Sequence, residues 1–149
     1  MTEKEKFFAR TMHTPDTPER AELREALRGV SKALLPLHRA LINAAREDYA
    51  FAYEPVSPTQ LLGLLGDDPF FAWLKPVTAI IVDLDEMVRR DFEWADADEV
   101  LGRIERHFGA TPEDAFAAQY VPILQRDVDV AIGHAAVRQA LGKVPPKDR

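Results

Sequence analysis

Hydrophobic residues recur at alternating steps of four and three along most of the chain, which is the spacing of one helix face. The longest such pattern comes first and is an unbroken aliphatic stripe: Leu23, Leu27, Val30, Leu34, Leu37 and Leu41. We predict one helix that begins at about Pro18, with Thr17 as its N-cap, and ends at about Tyr53. Pro36 near its middle predicts a kink, because the proline ring removes one backbone hydrogen bond.

The stretch from Asp68 to Trp94 carries the densest hydrophobic pattern, and we expect the rest of the chain to be organised around it. Asp68 caps a helix whose first residue is Pro69. The main face of this central helix is formed by Phe70, Leu74, Val77, Ile81, Leu84 and Val88. As far as Val82 the other faces are apolar too, which is typical of a helix inside a core. Pro76 predicts a second kink.

Capping signals predict two shorter helices on either side of the central one. Ser57 and Gln60 form a capping box that opens a short leucine-rich helix. Asp96 and Glu99 form a second capping box, and the helix that it opens ends at Gly109.

Two further N-caps divide the C-terminal part of the chain. Thr111 caps Pro112 and opens a helical region in which Pro122 predicts a kink. Asp127 and Asp129 are both candidate caps for a new helical start that runs through Val130 to Leu141.

The pattern as a whole predicts an all-α fold, because no segment alternates at period two over the length of a strand. Short connections between long amphipathic helices favour an up-and-down bundle of four main helices, kinked at proline, plus one short helix. We expect one bundle domain at residues 17–142, a flexible N-terminal arm at 1–16 and a C-terminal tail at 143–149.

The composition agrees with one soluble domain. The chain has 149 residues, of which 46% are hydrophobic and 30% charged, and this is typical of neither a disordered nor a membrane protein. No apolar stretch approaches the ~20 residues that span a bilayer, and the N-terminus shows no signal peptide. The sequence has no cysteine, which excludes thiolate catalysis, disulfides and Cys-ligated zinc, so we expect a cytoplasmic protein.

The net charge of −6 is unevenly distributed. Residues 1–46 hold nine Lys and Arg against six Asp and Glu, and residues 117–149 hold five against three. Residues 47–116 hold only five basic residues against sixteen acidic ones. This acidic middle argues against nucleic acid as the main partner.

Four segments carry a resemblance to a known family: LLPLHRAL at residues 34–41, DPFFAWLKP at 68–76, DLDE at 83–86 and HAAVR at 134–138. In these segments, and over roughly residues 20–142, the chain resembles a family of small uncharacterised bacterial all-helical proteins. The resemblance implies a bacterial origin and a helical bundle. It supplies no activity, so no functional residue follows from it.

The histidines form no recognisable metal or catalytic motif. None of His13, His38, His107 and His134 follows a glutamate by three residues, as in carboxylate-bridged metal bundles, and none belongs to a zinc-protease motif. The segments 96–98 and 127–129 begin like calcium loops but lack the glycine at the sixth position, so we interpret them as helix caps. We therefore predict no catalytic residue, no metal site and no cofactor, which favours a protein that is not an enzyme.

His38 is the polar residue of greatest interest, because at 100° per residue it lies only about 40° from Leu34 on the apolar face of the first helix. If the first and central helices are antiparallel neighbours, His38 comes close to Asp85, and we expect that carboxylate to raise the pKa of His38. Two interpretations stay open. His38 is either a core histidine satisfied by a hydrogen bond, or part of a ligand-binding site lined by His38, Asp85 and Tyr49.

Phe71 and Val82 lie on the side of the central helix opposite its main face. One bundle need not bury both sides, and leftover apolar surface usually marks an interface; the alternative is that the last helix and the leucine-rich turn cover both residues. We therefore expect a non-enzymatic protein that acts through protein–protein contacts, including a homodimer. The alternative function is a bundle that binds a small molecule or a metal near His38 and Asp85.

Overall fold

The computed structural model describes residues 15–110, 112 and 114–147, and these residues are mostly helical. Within these residues, six α-helices and one 3₁₀ helix follow one another: α1 Pro18–Ala52, α2 Pro58–Asp67, the 3₁₀ helix Pro69–Leu74, α3 Lys75–Val88, α4 Trp94–Phe108, α5 Asp114–Arg126 and α6 Val128–Leu141. No strand occurs in this part of the chain, so the all-α prediction is confirmed. Six α-helices are more than the predicted four main helices and one short one. Residues 1–14 of the predicted arm and 148–149 of the predicted tail lie outside the described residues.

Helix α1 has nearly the bounds that its sequence predicts. The hydroxyl of Thr17 accepts a hydrogen bond from the backbone N–H of Arg20 at 3.1 Å, and Pro18 stands at the first helical position. Pro36 lies within the helix. The aliphatic stripe of α1 is fully buried, and both α6 and α3 pack along this helix. Helix α1 therefore forms the centre of the core.

The close contact between α1 and α6 depends on a glycine. A Cβ atom added to Gly133 of α6 would lie 3.0 Å from Cα and 3.1 Å from Cβ of Leu37 in α1. Such distances are well inside the ≈ 3.5–4.0 Å at which carbon atoms attract one another. The missing side chain of Gly133 is therefore what lets α6 approach α1 so closely.

The central segment differs from the single α-helix that the sequence predicts. Its first six residues form a 3₁₀ helix, and the α-helix begins only at Lys75. In a 3₁₀ helix, residues three apart lie on the same side, and Phe71 and Leu74 are accordingly both buried. The buried side continues in α3 with Val77 and Ile80. Phe70, the first residue of the predicted face, is half-buried instead.

The predicted burial of the central helix on all sides is also wrong. Ala72 in the 3₁₀ helix, and Ala79 and Val82 in α3, are exposed. The buried side of α3 contacts α1 and α4, and its remaining side reaches the surface.

The N-caps predicted after residue 95 have different outcomes, and of the two candidates Asp127 and Asp129 the structure uses the first. Asp127 caps α6 as predicted, since its carboxylate accepts the backbone N–H of Val130 at 3.0 Å. Helix α4 begins two residues before the predicted cap, at Trp94, and Asp96 is its third residue. There the Asp96 carboxylate accepts the backbone N–H of Glu93 at 2.9 Å. The predicted cap Thr111 lies outside the described residues.

Arg24 joins the start of α1 to the end of α3. Its buried guanidinium donates hydrogen bonds to both carboxylate oxygens of Asp16, at 2.7 and 3.0 Å. The same group donates to the carbonyl oxygens of Val88 and Arg90, at 2.7 and 2.8 Å, and lies 4.8 Å from the centre of the Phe92 ring. A positive charge is favourable at a helix C-terminus, where carbonyl groups lack helical partners. Arg24 near the start of α1 thus contacts the end of α3, whereas His38, further along α1, contacts Thr78 near the start of α3. The two helices therefore run antiparallel.

Candidate functional site

His38 lies in the contact between α1 and α3, but its partner is not Asp85. Its Nε2 lies 3.0 Å from the hydroxyl oxygen of Thr78, and the ring is half-buried. The Thr78 hydroxyl lies 3.4 Å from the carbonyl oxygen of Leu74, to which it donates, so Nε2–H of His38 acts as the donor to Thr78. Burial lowers the pKa of His38, and the expected rise is therefore wrong.

The other two predicted ligand-binding residues have partners of their own. The carboxylate of Asp85 lies 3.1 Å from the guanidinium of Arg89, one turn further along α3. Tyr49 packs against Phe70, with ring centres 5.3 Å apart. Tyr49 is eleven residues beyond His38 on α1, which is about 16 Å along the helix axis. The contacts of His38, Asp85 and Tyr49 therefore do not join them in one pocket, and a ligand there stays a prediction.

The two predicted interface residues have different positions in the structure. Phe71 is 0% exposed, packed in the core of the chain itself, so the expectation that the bundle leaves it uncovered is wrong. The cause is the 3₁₀ geometry, which turns Phe71 rather than Phe70 inward. Val82, by contrast, is 48% exposed.

Val82 of α3 and Leu35 of α1 are half-exposed aliphatic residues on two helices that contact each other. Leu35 of α1 is 49% exposed, and it stands three residues before His38, whereas Val82 stands four residues after Thr78. Because the two helices are antiparallel, both side chains lie on the same side of the His38–Thr78 hydrogen bond, roughly 5 Å from it along the axis. We call this surface, with its exposed neighbours Arg28, Lys32, Arg39, Thr78 and Glu86, the α1–α3 face.

Charged side chains on the α1–α3 face come from both helices. The α1 side is basic, with Arg28, Lys32 and Arg39 exposed at helical spacing around Leu35. The α3 side carries Glu86 at the same level as Lys32, because Lys32 is six residues before His38 and Glu86 is eight residues after Thr78. Glu86 is thus the acidic group of α3 that lies at the level of Lys32. Lys75 and Arg89, seven residues before and after Val82, are exposed basic residues of the same helix.

A cluster of aromatic and histidine side chains lies where α4, α5 and α6 meet the 3₁₀ helix. Six rings form a continuous chain of contacts with centres 4.6 to 5.7 Å apart, and we call it the aromatic cluster: Trp73, His107, Phe108, Phe116, Tyr120 and His134. At its inner end the hydroxyl of Tyr120 lies 2.7 Å from Nδ1 of His134. Burial raises the pKa of Tyr120 and lowers that of His134, so both stay neutral at pH 7.

His107 is the residue of this cluster that sequence reasoning passed over. It is only 8% exposed, and its Nδ1 lies 2.8 Å from the carbonyl oxygen of Arg103. Its position three residues after Ile104 and seven after Val100 places it on the buried face of α4. That spacing is the sequence signal that could have identified it.

The structure adds two findings about metals and membranes. Within the described residues, no group of three or more His, Asp and Glu side chains could hold a metal ion. None of the helices described here is both long enough and apolar enough to cross a bilayer.

Comparison with known proteins assigns neither a family nor a function to the chain. No family model matches the chain, no curated protein matches it, and no solved structure matches it. The resemblance to a bacterial helical family therefore stays a prediction.

Proposed function

We propose that the protein is a non-enzymatic, cytoplasmic helical module that acts through protein–protein contacts, beginning with a homodimer formed through the α1–α3 face. The observation that supports this most directly is the pair Leu35 and Val82, two aliphatic side chains that are each about half exposed on adjoining helices. Covering both removes apolar area from water, which is the main favourable term in association. The overall negative charge favours a protein partner over nucleic acid.

The charges of the α1–α3 face select one arrangement of the two copies. If α1 packed on α1 of the second copy, the basic residues Arg28, Lys32 and Arg39 would face one another and repel. A two-fold axis parallel to the helices instead places α1 of each copy on α3 of the other. Lys32 of one copy then faces Glu86 of its partner, twice in the dimer. We therefore propose the second arrangement.

Light scattering and sedimentation over a concentration series test the apolar part of the proposal. We expect the wild type to dimerise, and Leu35→Asp and Val82→Asp to give folded monomers, because a charge at either position cannot be buried in an interface without a partner. Ile132→Asp is the matched control. Ile132 is 63% exposed on α6, away from the α1–α3 face, so this variant should dimerise like the wild type. A wild type that stays monomeric at every concentration contradicts the proposal.

A charge exchange tests the arrangement of the copies. Lys32→Glu and Glu86→Lys should each weaken the homodimer, because each creates two like-charged pairs across the interface. Mixing the two variants should form a heterodimer, since the introduced glutamate of one variant then faces the introduced lysine of the other and the second pair is native. Native mass spectrometry distinguishes the species when one variant is isotope-labelled. If both variants dimerise alone as well as the wild type does, the α1-on-α3 arrangement is wrong.

A further inference from the structure

A small cleft opens beside the aromatic cluster, at the surface where the start of α3 meets α4 and α5. It is lined by Trp73, Pro76, His107, Ala115 and Phe116, and its volume is about 190 Å³. Four of these five side chains are apolar, and the fifth is the imidazole of His107. The cleft therefore combines an apolar lining with one nitrogen base.

His107 lines this cleft and has one ring nitrogen without a hydrogen-bond partner among the described residues. The carbonyl oxygen of Arg103 can only accept, so Nδ1 of His107 carries the proton of their hydrogen bond. In the neutral ring Nε2 is then an acceptor, and it has no hydrogen-bond partner among the described residues. Among the described residues, every fully buried side-chain nitrogen or oxygen has a hydrogen-bond partner. Nε2 must therefore be accessible, although the residue as a whole is more than nine-tenths buried.

We propose that this cleft binds a small single-ring aromatic molecule that carries one hydroxyl or N–H donor, as a phenol does. The ring packs against Trp73 and Phe116, and its donor forms a hydrogen bond with Nε2 of His107. The size of the cleft decides the class of ligand: apolar cavities of ~150 Å³ accept benzene, whereas sites for larger, drug-sized ligands begin at ≈ 300 Å³. This activity goes beyond the proposed dimer, because the cleft contains no residue of the α1–α3 face.

Nuclear magnetic resonance with phenol and toluene as probes tests the site. The two molecules have nearly the same shape, but only phenol has a donor. We expect phenol to shift the Nε2 resonance of His107 in a saturable way. Toluene should bind about threefold to tenfold more weakly, which is the effect of one net hydrogen bond. Equal affinity for the two probes, or no saturable change at the residues of the cleft, overturns the proposal.

Two variants separate the hydrogen bond from the apolar lining. His107→Phe should lose the preference for phenol but keep the binding of toluene, because it retains the ring and removes the acceptor. Ala115→Trp should remove the binding of both probes by filling the cleft, and it is tolerated because Ala115 is exposed. An Ala115→Trp variant that binds phenol like the wild type places the ligand elsewhere and contradicts the assignment. If His107→Phe does not fold, two measurements still decide whether the cleft binds a phenol-like molecule: the comparison of phenol with toluene, and the binding of phenol by the Ala115→Trp variant.

Discussion

The hydroxyl of Tyr120 lies 2.7 Å from Nδ1 of His134, and this contact joins α5 to α6 at the inner end of the aromatic cluster. Tyr120 is fully buried, so its hydroxyl needs a partner inside the protein. Because burial raises the pKa of Tyr120, the hydroxyl keeps its proton and is able to donate it to an unprotonated Nδ1 of His134. In that arrangement His134 is neutral with its proton on Nε2.

We predict that the free energy of unfolding falls as the pH is lowered from about 7.5 to about 5.5. Burial lowers the pKa of His134, with Arg138 as a second cause, and burial lowers that of His38 as well. Below the ordinary pKa of about 6.5, the unfolded chain therefore binds protons that the folded chain does not, which favours unfolding. At higher pH the two histidines are neutral in both the folded and the unfolded chain, so this loss of stability is absent. Urea unfolding followed by circular dichroism measures the dependence.

His134→Gln is the control for the pH dependence. A glutamine oxygen accepts the Tyr120 hydrogen bond but does not titrate, so the variant should lose less stability than the wild type over the same pH range. His38→Gln should act in the same direction. If neither variant changes the slope of stability with pH, the two histidines are not its cause.

Arg24→Lys should destabilise the fold by about 3 kcal/mol. The ammonium group of lysine is not able to reproduce the paired contact with Asp16 together with the bonds to the carbonyl oxygens of Val88 and Arg90. Arg28→Lys, one turn further on, is the control, since Arg28 is exposed and lies 3.6 Å from the carboxylate of Glu25. That change should stay within about 0.5 kcal/mol of the wild type. Equal effects of the two substitutions would show that the buried contacts of Arg24 do not stabilise the junction.

Alanine substitution tests the phase of the 3₁₀ helix. Phe71→Ala should cost about 3–5 kcal/mol, because it leaves a cavity in the core. Phe70→Ala should cost only about 1–2 kcal/mol, because Phe70 is half-buried. Denaturant unfolding measures both values. If Phe70→Ala costs more stability than Phe71→Ala, the result favours the continuous α-helix that the hydrophobic spacing predicts.

The parts of the fold that were predictable from the sequence have local causes. Helix α1 could be bounded because Thr17 and Pro18 set its start and an unbroken stripe sets its face. Asp127 was recognised as a cap for the same kind of reason. The start of α4 was less certain, because Glu93 and Asp96 are both acidic residues placed near it and either is able to satisfy a free backbone N–H.

The parts that were not predictable depend on contacts between distant segments. Phe70 and Phe71 are adjacent and equally apolar, so local sequence does not decide which one faces the core when the segment adopts 3₁₀ geometry. His38 and His107 both fall on apolar helix faces. Only the packing shows that His38 is satisfied by Thr78 whereas His107 keeps a free acceptor beside a cleft.

Alanine substitution at two helical glycines should change the stability of the protein in opposite directions. Gly29 of α1 has no atom within 4 Å of the place where a Cβ would stand, so Gly29→Ala should stabilise the protein by up to ~1 kcal/mol through helix propensity alone. Gly133→Ala gains the same propensity, but its Cβ would lie 3.0 Å from Cα of Leu37. Separating α6 from α1 to relieve that contact should cost about 1–3 kcal/mol, so the net effect is a loss of stability. Thermal unfolding of both variants measures the difference, and a rise in midpoint for Gly133→Ala would show that the two helices are able to move apart without cost.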